Sequence, residues 1–362
     1  MFNQEEYKKL SDTLDDEIKK HSGPLQGSDE WFELSKKTIG GSEIGTLIKN
    51  PYKSKLQLAL SKIKKPEKFQ SFFACSWGKL FEDVFISILQ IIFGHEIKGT
   101  NVCLVKDVMR YSPDGFVVLR TCDEKIYTTD MDSSIETILK IILLELKCPI
   151  SRVISEGKIP SNYYSQVQMG VSMNTFVDFG LYCEAVFRKC SFNDLGNNVE
   201  YDKELHNDNY ENQPIAWSMI GVYIEDDDID FLLHQCRNYL INQSKLIDIG
   251  ILPKSQFHTI INMIDQTKLS IEIMPPCFND GRGINLHTRD ERIQAVHKYL
   301  KKSKKIIGII SWKLFELNFV KVNRDEEFLT TAISLINVFN ENVSNALNSD
   351  NPENFLRELY KN

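Results

Sequence analysis

From Ile138 to Lys147 the chain is almost wholly apolar and β-prone, which predicts a central strand covered on both faces. At two residues per repeat, Glu145 and Lys147 share one face at its end while Leu144 and Leu146 share the other. Two charges at the end of a buried strand are costly unless paired or metal-bound, so they are expected to meet each other and a cation. Pro149 then stops the ladder. Phe116 to Leu119 predicts a shorter strand, preceded by Pro113-Asp114-Gly115, which is also ordinary turn chemistry. Strands are further predicted at Asp178–Phe187 and Met219–Tyr223, and a strand followed by a helix at Ile306–Lys321 and Glu326–Asn345.

Helical period appears from Trp77 to Phe93. Lys79, Asp83, Ser87 and Gln90 form a narrow polar stripe there, and Glu82 falls beside Ile86, Leu89 and Phe93, which a solvated charge does not explain. Residues 160–174 open on Pro160 and Ser161 and place Tyr163 and Gln166 on one helical face. Gly40-Gly41-Ser42 lets backbone approach an anion, and the helix expected from Glu43 to Ile48 would offer it an amino end. Asn193 to Asn212 has little apolar period and predicts an exposed loop, and Glu225-Asp226-Asp227-Asp228 suits the amino end of a following helix.

With 362 residues and 42% hydrophobic content, the chain can bury one large core or two modest ones. No signal peptide is expected from Met1-Phe2-Asn3-Gln4-Glu5-Glu6, and no membrane span, since the most apolar helix keeps Lys79, Glu82 and Asp83. The 8 cysteines include no C-x-x-C pair, so reduced thiols are expected and an iron–sulfur cluster is not. A net charge of −7 does not exclude nucleic acid, because a local basic channel can bind phosphate on an otherwise acidic protein. Two lysine clusters are candidates: Lys53, Lys55, Lys62, Lys64 and Lys65, and Lys298, Lys301, Lys302, Lys304 and Lys305. The first follows the Gly-Gly-Ser block and is the preferred DNA contact.

The two carboxylates and the ammonium of Asp114, Glu145 and Lys147 suit divalent-metal hydrolysis of a phosphodiester. Five blocks occur in order: Gly40-Gly41-Ser42-Glu43-Ile44-Gly45, Trp77-Gly78-Lys79-Leu80-Phe81-Glu82, Ser112-Pro113-Asp114-Gly115, Leu144-Glu145-Leu146-Lys147-Cys148-Pro149, and Tyr163 to Gln168. The chain thereby resembles the λ-exonuclease/YqaJ-type viral recombinase family of PD-(D/E)xK nucleases, in the asfarvirus-like versions of large cytoplasmic DNA viruses. The resemblance covers about residues 31 to 190. It implies an α/β fold with a restriction-endonuclease-like core, a mixed central sheet flanked by helices, and insertions. The expected organisation is an N-terminal helical segment at 1–30, the nuclease core at 31–190, an insertion packed on the core at 191–302, and a closing strand–helix with a C-terminal helix at 303–362.

The same resemblance implies that Asp114, Glu145 and the carbonyl of Leu146 hold Mg²⁺, with Mn²⁺ able to substitute and two ions in the site. Lys147 would orient or deprotonate the attacking water, Glu82 would be a further acid of the metal site, and Gln166 would line the site near the scissile phosphate or the lysine. Ser42 would sit in a pocket for the 5′-terminal phosphate. The family arginine after Trp-x-x-Leu is absent, however: Trp31-Phe32-Glu33-Leu34 is followed by Ser35, so Lys36 or Lys37 is expected to supply the cation, with Lys53 and Lys55 as further DNA contacts. A second departure puts thirty residues between Asp114 and Glu145. The excess, Thr121 to Thr137, is expected to be an exposed loop, with Asp130 and Asp132 as rival carboxylates. The implied activity is a Mg²⁺-dependent 5′→3′ exonuclease on linear duplex ends in viral recombination, repair or replication, located in the host cytoplasm at replication sites. A single-strand annealing protein is the implied partner. The alternatives are an endonuclease or flap nuclease with the same metal site, or a catalytically vestigial DNA-binding or host-interaction protein.

Overall fold

The computed structural model describes residues 4–48, 53–64, 72–122, 125–127, 138–196, 198–223, 248–299 and 306–361. Five helices come first, α1 (Gln4–His21), α2 (Asp29–Lys37), α3 (Gly41–Leu47), α4 (Lys55–Ile63) and α5 (Phe73–Phe93), with the short strand β1 (Ile39–Gly40) between α2 and α3. Then come β2 (Leu104–Lys106), β3 (Met109–Tyr111), β4 (Gly115–Cys122), β5 (Lys125–Tyr127), β6 (Ile138–Lys147), α6 (Ser161–Met173) and β7 (Phe179–Cys190). The chain continues through α7 (Lys203–His206), β8 (Ala216–Tyr223), β9 (Ser270–Ile273), β10 (Cys277–Phe278) and β11 (Ile306–Val322), and helices Glu326–Leu347 and Pro352–Leu359 close it.

One eight-stranded sheet runs β10-β8-β11-β7-β6-β4-β5, with β9 on β8. β4 and β6 are antiparallel, whereas β6 and β7 are parallel, a pairing that needs a long crossover, and α6 lies on it. Because successive strand residues face opposite ways, the sheet feeds two cores. Leu144 and Leu146 join Leu181, Cys183 and Phe187 under the apolar face of α5. Ile141 and Leu143 join Tyr182, Phe116 and residues of α1, α3, α6 and Glu326–Leu347 on the opposite side. The α/β class and the mixed sheet flanked by helices are those expected. The strand at 138–147 is covered on both faces because it has no polar face to leave in water.

Two stretches differ from the sequence reading. The expected loop at 121–137 contains β5, whose Ile126 pairs with Thr121, so β4 continues into a short antiparallel partner at the sheet edge. Asp123, Glu124, Asp130, Asp132 and Glu136 lie outside the described residues, as do Asp226 to Asp228 and the helix expected after them, Lys65, and Lys301, Lys302, Lys304 and Lys305. The polar stretch 193–212 is partly inside: Tyr201, Leu205 and His206 are buried. Cations from the neighbouring strands bind its backbone carbonyls and carboxylates. Lys313 donates to the carbonyls of Asn198 (3.0 Å) and Glu200 (2.5 Å), while Arg188 pairs with Asp208 and Lys189 with Asp202. These cations sit within strands that otherwise read as apolar, so sequence periodicity hides them.

His206 ties this stretch to β7 and to the segment that follows β6. Its Nε2 accepts from the Lys189 amide at 3.0 Å, and its Nδ1–H donates to the Ile150 carbonyl at 2.9 Å, an arrangement that requires the neutral ring. Burial, with the nearby Arg188 charge, pushes its pKa down to about 3. In the unfolded chain the ring takes its proton near the ordinary histidine value of about 6.5. The stabilising contribution is therefore complete above that value and is lost as pH falls toward 3, at about 1.4 kcal/mol per pH unit. His206→Gln is expected to flatten the loss of urea stability between pH 6.5 and pH 5 relative to the unaltered protein. Parallel slopes in the two proteins would remove His206 as the source.

Candidate active site

The end of β6 meets the start of β4. Asp114 precedes β4 and its backbone N–H reaches the Leu144 carbonyl at 3.3 Å, so its carboxylate comes beside the next turn of β6, where Oδ2 accepts from the Leu146 amide at 2.6 Å. Glu145 is buried, at 1% side-chain exposure. Its two oxygens are taken by protein donors: Oε1 by the Lys147 ammonium and Oε2 by the Tyr111 hydroxyl at 2.5 Å. Lys147 also donates to the Leu146 carbonyl at 3.0 Å and stands 3.9 Å from Asp114 Oδ2. The charges expected to meet do so, and the Leu146 carbonyl lies among them.

The electrostatics are those of a carboxylate cluster short of positive charge. Burial raises the Asp114 pKa well above the ordinary range, and the charges of Glu145 and Glu82 raise it further, against the pull of Lys147 and the Leu146 amide. Glu82, half-buried on α5, is likewise raised, first by burial and then by Asp83 and Glu145, with Lys147 opposing. For Lys147, burial acts to depress the pKa, yet Glu145 and Asp114 outweigh it and hold the ammonium above its ordinary value. In this arrangement Lys147 donates to Glu145 and to the Leu146 carbonyl.

Two carboxylates and a carbonyl are hard oxygen donors of the kind Mg²⁺ accepts while keeping several waters, and mutual repulsion of Asp114, Glu145 and Glu82 is what a divalent charge relieves. Among the described residues no three His, Cys, Asp or Glu side chains are drawn into a ready-made cage. Asp114, Glu145 and the Leu146 carbonyl are donors that would suit such an ion, with water completing its shell.

Tyr111 is a residue that sequence reading missed. Its ring is buried between α3 and α6, where a Cβ on Gly41 would come within 2.5 Å of it and a Cβ on Gly170 would do the same. Only glycine permits this approach on both sides. The Gly41 Cβ would also meet the Gln166 Cγ at 3.4 Å, so the Gly-Gly-Ser turn, Gln166 and Glu145 adjoin one tyrosine. Its one sequence signal is position, immediately before Ser112-Pro113-Asp114-Gly115. Gln168, by contrast, turns away: its Nε2 donates to the Asn323 carbonyl at 2.7 Å and to Tyr164 Oη at 3.2 Å, fastening α6 to the end of β11.

Arg152 was missed as well. Its guanidinium pairs with the buried Glu184 and lies 5.1 Å from the Tyr163 ring centroid, and the Lys147 ammonium is 5.2 Å from the same centroid. Tyr163 and Gln166 do share a face of α6 as their spacing predicts.

The expected phosphate residues are more scattered. Ser42 is exposed at the start of α3. Lys36 donates to Glu33 one turn back at 2.5 Å, and the Lys37 carbonyl accepts from Asn340 at 3.4 Å. The first contact holds the Lys36 ammonium on its own helix. Lys53 and Lys55 flank Ser54 at the start of α4, with Lys55 exposed. Lys62 of the same cluster is inside, donating to Glu43 at 2.8 Å and to the carbonyls of Ser35 (2.7 Å) and Thr38 (2.9 Å). Lys64 pairs with Glu353 at 3.0 Å.

Comparison with known proteins follows the same residues. A protein of African swine fever virus, from a Malawi tick isolate, is 26% identical over 341 residues, 91% of this chain and 89% of its own length. Its counterpart from the Vero-adapted Badajoz strain is 31% identical over 215 residues, 55% of this chain and 60% of its own. Among solved structures, LHK-Exo in complex with dAMP aligns over 92% of this chain and 97% of that one, at 11% identity and a TM-score of 0.38. The alkaline exonuclease LHK-Exo from Laribacter hongkongensis aligns over 44% and 74%, at 16% identity and a TM-score of 0.31. Residues 30–177 match the family described as YqaJ-like viral recombinase domain, a stretch that holds Ser42, Glu82, Asp114, Glu145, Lys147 and Gln166. The resemblance read from five ordered blocks is borne out, and residues 30–177 of this chain are similar to a YqaJ-like viral recombinase domain.

Proposed function

We propose that the chain is a Mg²⁺-dependent deoxyribonuclease that degrades linear duplex DNA from its ends, 5′→3′. The observation that carries this reading is the meeting of Asp114, Glu145, the Leu146 carbonyl and Lys147 at the strand ends, joined through Tyr111 to the Gly41 turn and Gln166. Asp114, Glu145 and the Leu146 carbonyl would hold the metal, with Glu82 as an outer acid. Bound there, the cation would neutralise charge developing on the phosphodiester and acidify water. Lys147, held protonated, orients the nucleophilic water and adds positive charge beside the scissile phosphate. Gln166 offers its amide to the same phosphate, and Tyr111 fixes the Glu145 carboxylate so that it need not reorganise during the reaction.

An end-directed activity that leaves a 3′ single strand would prepare DNA for annealing, so a single-strand annealing protein is the partner that fits, at viral replication sites in the host cytoplasm. No helix among the described residues is long and apolar enough to cross a membrane. One observation favours the endonuclease or flap-nuclease reading instead: the arginine is absent at Ser35, and Lys36 is paired with Glu33 on its own helix.

The deciding measurement is a time course with Mg²⁺ and with EDTA on 5′-phosphorylated linear duplex, labelled separately at each end, beside a covalently closed circular duplex. The 5′ label is expected to be released first, as mononucleotide and only with Mg²⁺, while the circle persists. Cutting of the circle would replace the exonuclease by an endonuclease.

A further inference from the structure

An acid at the last residue of a helix faces the negative end of the helix dipole, so something outside the helix must hold it there. Asp265 is such a residue: it ends the helix Lys254–Asp265, and its side chain is 5% exposed. What holds it is the first half of α5. Its Oδ1 accepts from the Lys79 ammonium at 2.8 Å. The Ser76 hydroxyl lies 3.0 Å from its Oδ2 and 3.1 Å from Asn262 Oδ1, and can donate to one of them at a time. Beside this polar contact Phe73 of α5 stacks on His258, with ring centroids 3.5 Å apart, and meets Phe257 edge-on at 6.1 Å. A helix from the stretch expected as an insertion at 191–302 is thereby fastened to α5 one turn before Glu82.

The Lys79 side chain is 64% exposed, and an ion pair of that exposure contributes little to stability, so its consequence lies in where the charge is kept. Lys79 stands three residues before Glu82 and four before Asp83, the two spacings at which side chains on a helix meet. Its charge acts on the Glu82 carboxyl from there. Released from Asp265, the ammonium would have Glu82 within a turn, and a carboxylate claimed by a lysine is a weaker attraction for a divalent ion. We propose that Asp265 is a positioning residue for the metal site: it draws the Lys79 ammonium toward the helix Lys254–Asp265 and leaves the Glu82 carboxylate for the cation that Asp114 and Glu145 would hold. This rests on the metal-dependent reading proposed above and gives the 191–302 stretch a part in it. Asp83 is the rival claimant for a released Lys79, and pairing there would leave the metal site untouched.

The test is Mn²⁺ binding to the full chain without DNA, measured by calorimetry at low salt, so that no turnover enters the readout. Asp265→Asn keeps the shape and an oxygen for Ser76 but gives up the charge. It is expected to weaken Mn²⁺ binding about three- to fivefold, the upper part of the range for ion pairs near a surface. Lys79→Ala alone should leave the affinity as it was, because that charge is already withheld, and Asp265→Asn combined with Lys79→Ala should return to the unaltered value. In a Glu82→Gln background Asp265→Asn should have no further effect. Thermal melts confirm that the variants fold, and if Asp265→Asn does not, Asp265→Ser takes its place. Unchanged Mn²⁺ affinity in Asp265→Asn overturns the positioning role. So do effects of Asp265→Asn and Lys79→Ala that simply add, which would make Asp265 a remote charge. Both results leave the metal reading standing. No Mn²⁺ binding by the unaltered protein overturns the metal reading, and the role of Asp265 with it.

Discussion

Asp114→Asn is expected to abolish Mg²⁺-dependent cleavage, by a factor on the order of 10³ or more, while leaving the metal-free protein at least as stable as the unaltered one. Loss of activity follows from loss of a charged oxygen ligand. The stability result follows from the direction of the pKa shift. Burial and the charges of Glu145 and Glu82 raise Asp114, so its ionised form is less favourable in the fold than in the unfolded chain. Stability from this group is full at low pH and declines as pH rises from the unfolded carboxylate value through the raised folded one, so at neutral pH the charge is a burden. Asparagine removes that burden and still accepts from the Leu146 amide. Single-turnover cleavage and urea denaturation at pH 7 in EDTA check both halves. Turnover near the unaltered level would sink the metal assignment, and a clear drop in stability would mean that Asp114 acts mainly as a structural acceptor. Glu145→Ala is expected to be equally inactive but less stable, because it strands the Lys147 ammonium and the Tyr111 hydroxyl.

Lys147→Ala should lose on the order of 10²-fold or more in rate while duplex binding persists. Here stability should fall, the opposite of Asp114→Asn, since Glu145 and Asp114 lose the cation that stands between them. Lys147→Arg is not expected to rescue the rate, because a planar fork cannot occupy a position built for a compact ammonium. The rate of strand release at saturating Mg²⁺, with anisotropy on the same duplex, is the measurement. Full activity in Lys147→Ala would make the lysine a structural counter-ion only.

What sequence shows and what it hides divide along one physical line. The face shared by Glu145 and Lys147, the apolar seam of β6, and the inward turn of Glu82 follow from period, which any backbone of that type must obey. The Asp114 position follows from an acid fixed between a proline turn and a strand. Tyr111 did not emerge, because its role depends on β3 lying beside β1 and on two glycines letting α3 and α6 close over a ring. The same limit misplaced Lys62: a lysine on an amphipathic helix reads as a solvated charge, and only the approach of Glu43 from α3 explains its burial. A cation within a short apolar run, as in Met109-Arg110-Tyr111, is the one mark that pattern alone offers for such residues.

The tyrosine held between Gly41 and Gly170 makes a ruler of this site. Its ring spans the interval between the Gly41 turn and the Glu145 carboxylate, and neither glycine leaves slack for that interval to change. If the chain is the end-directed nuclease proposed above, such a fixed interval would set the length of each cut piece. A larger side chain at Gly41 or Gly170 would then change the stride of the enzyme as well as its speed.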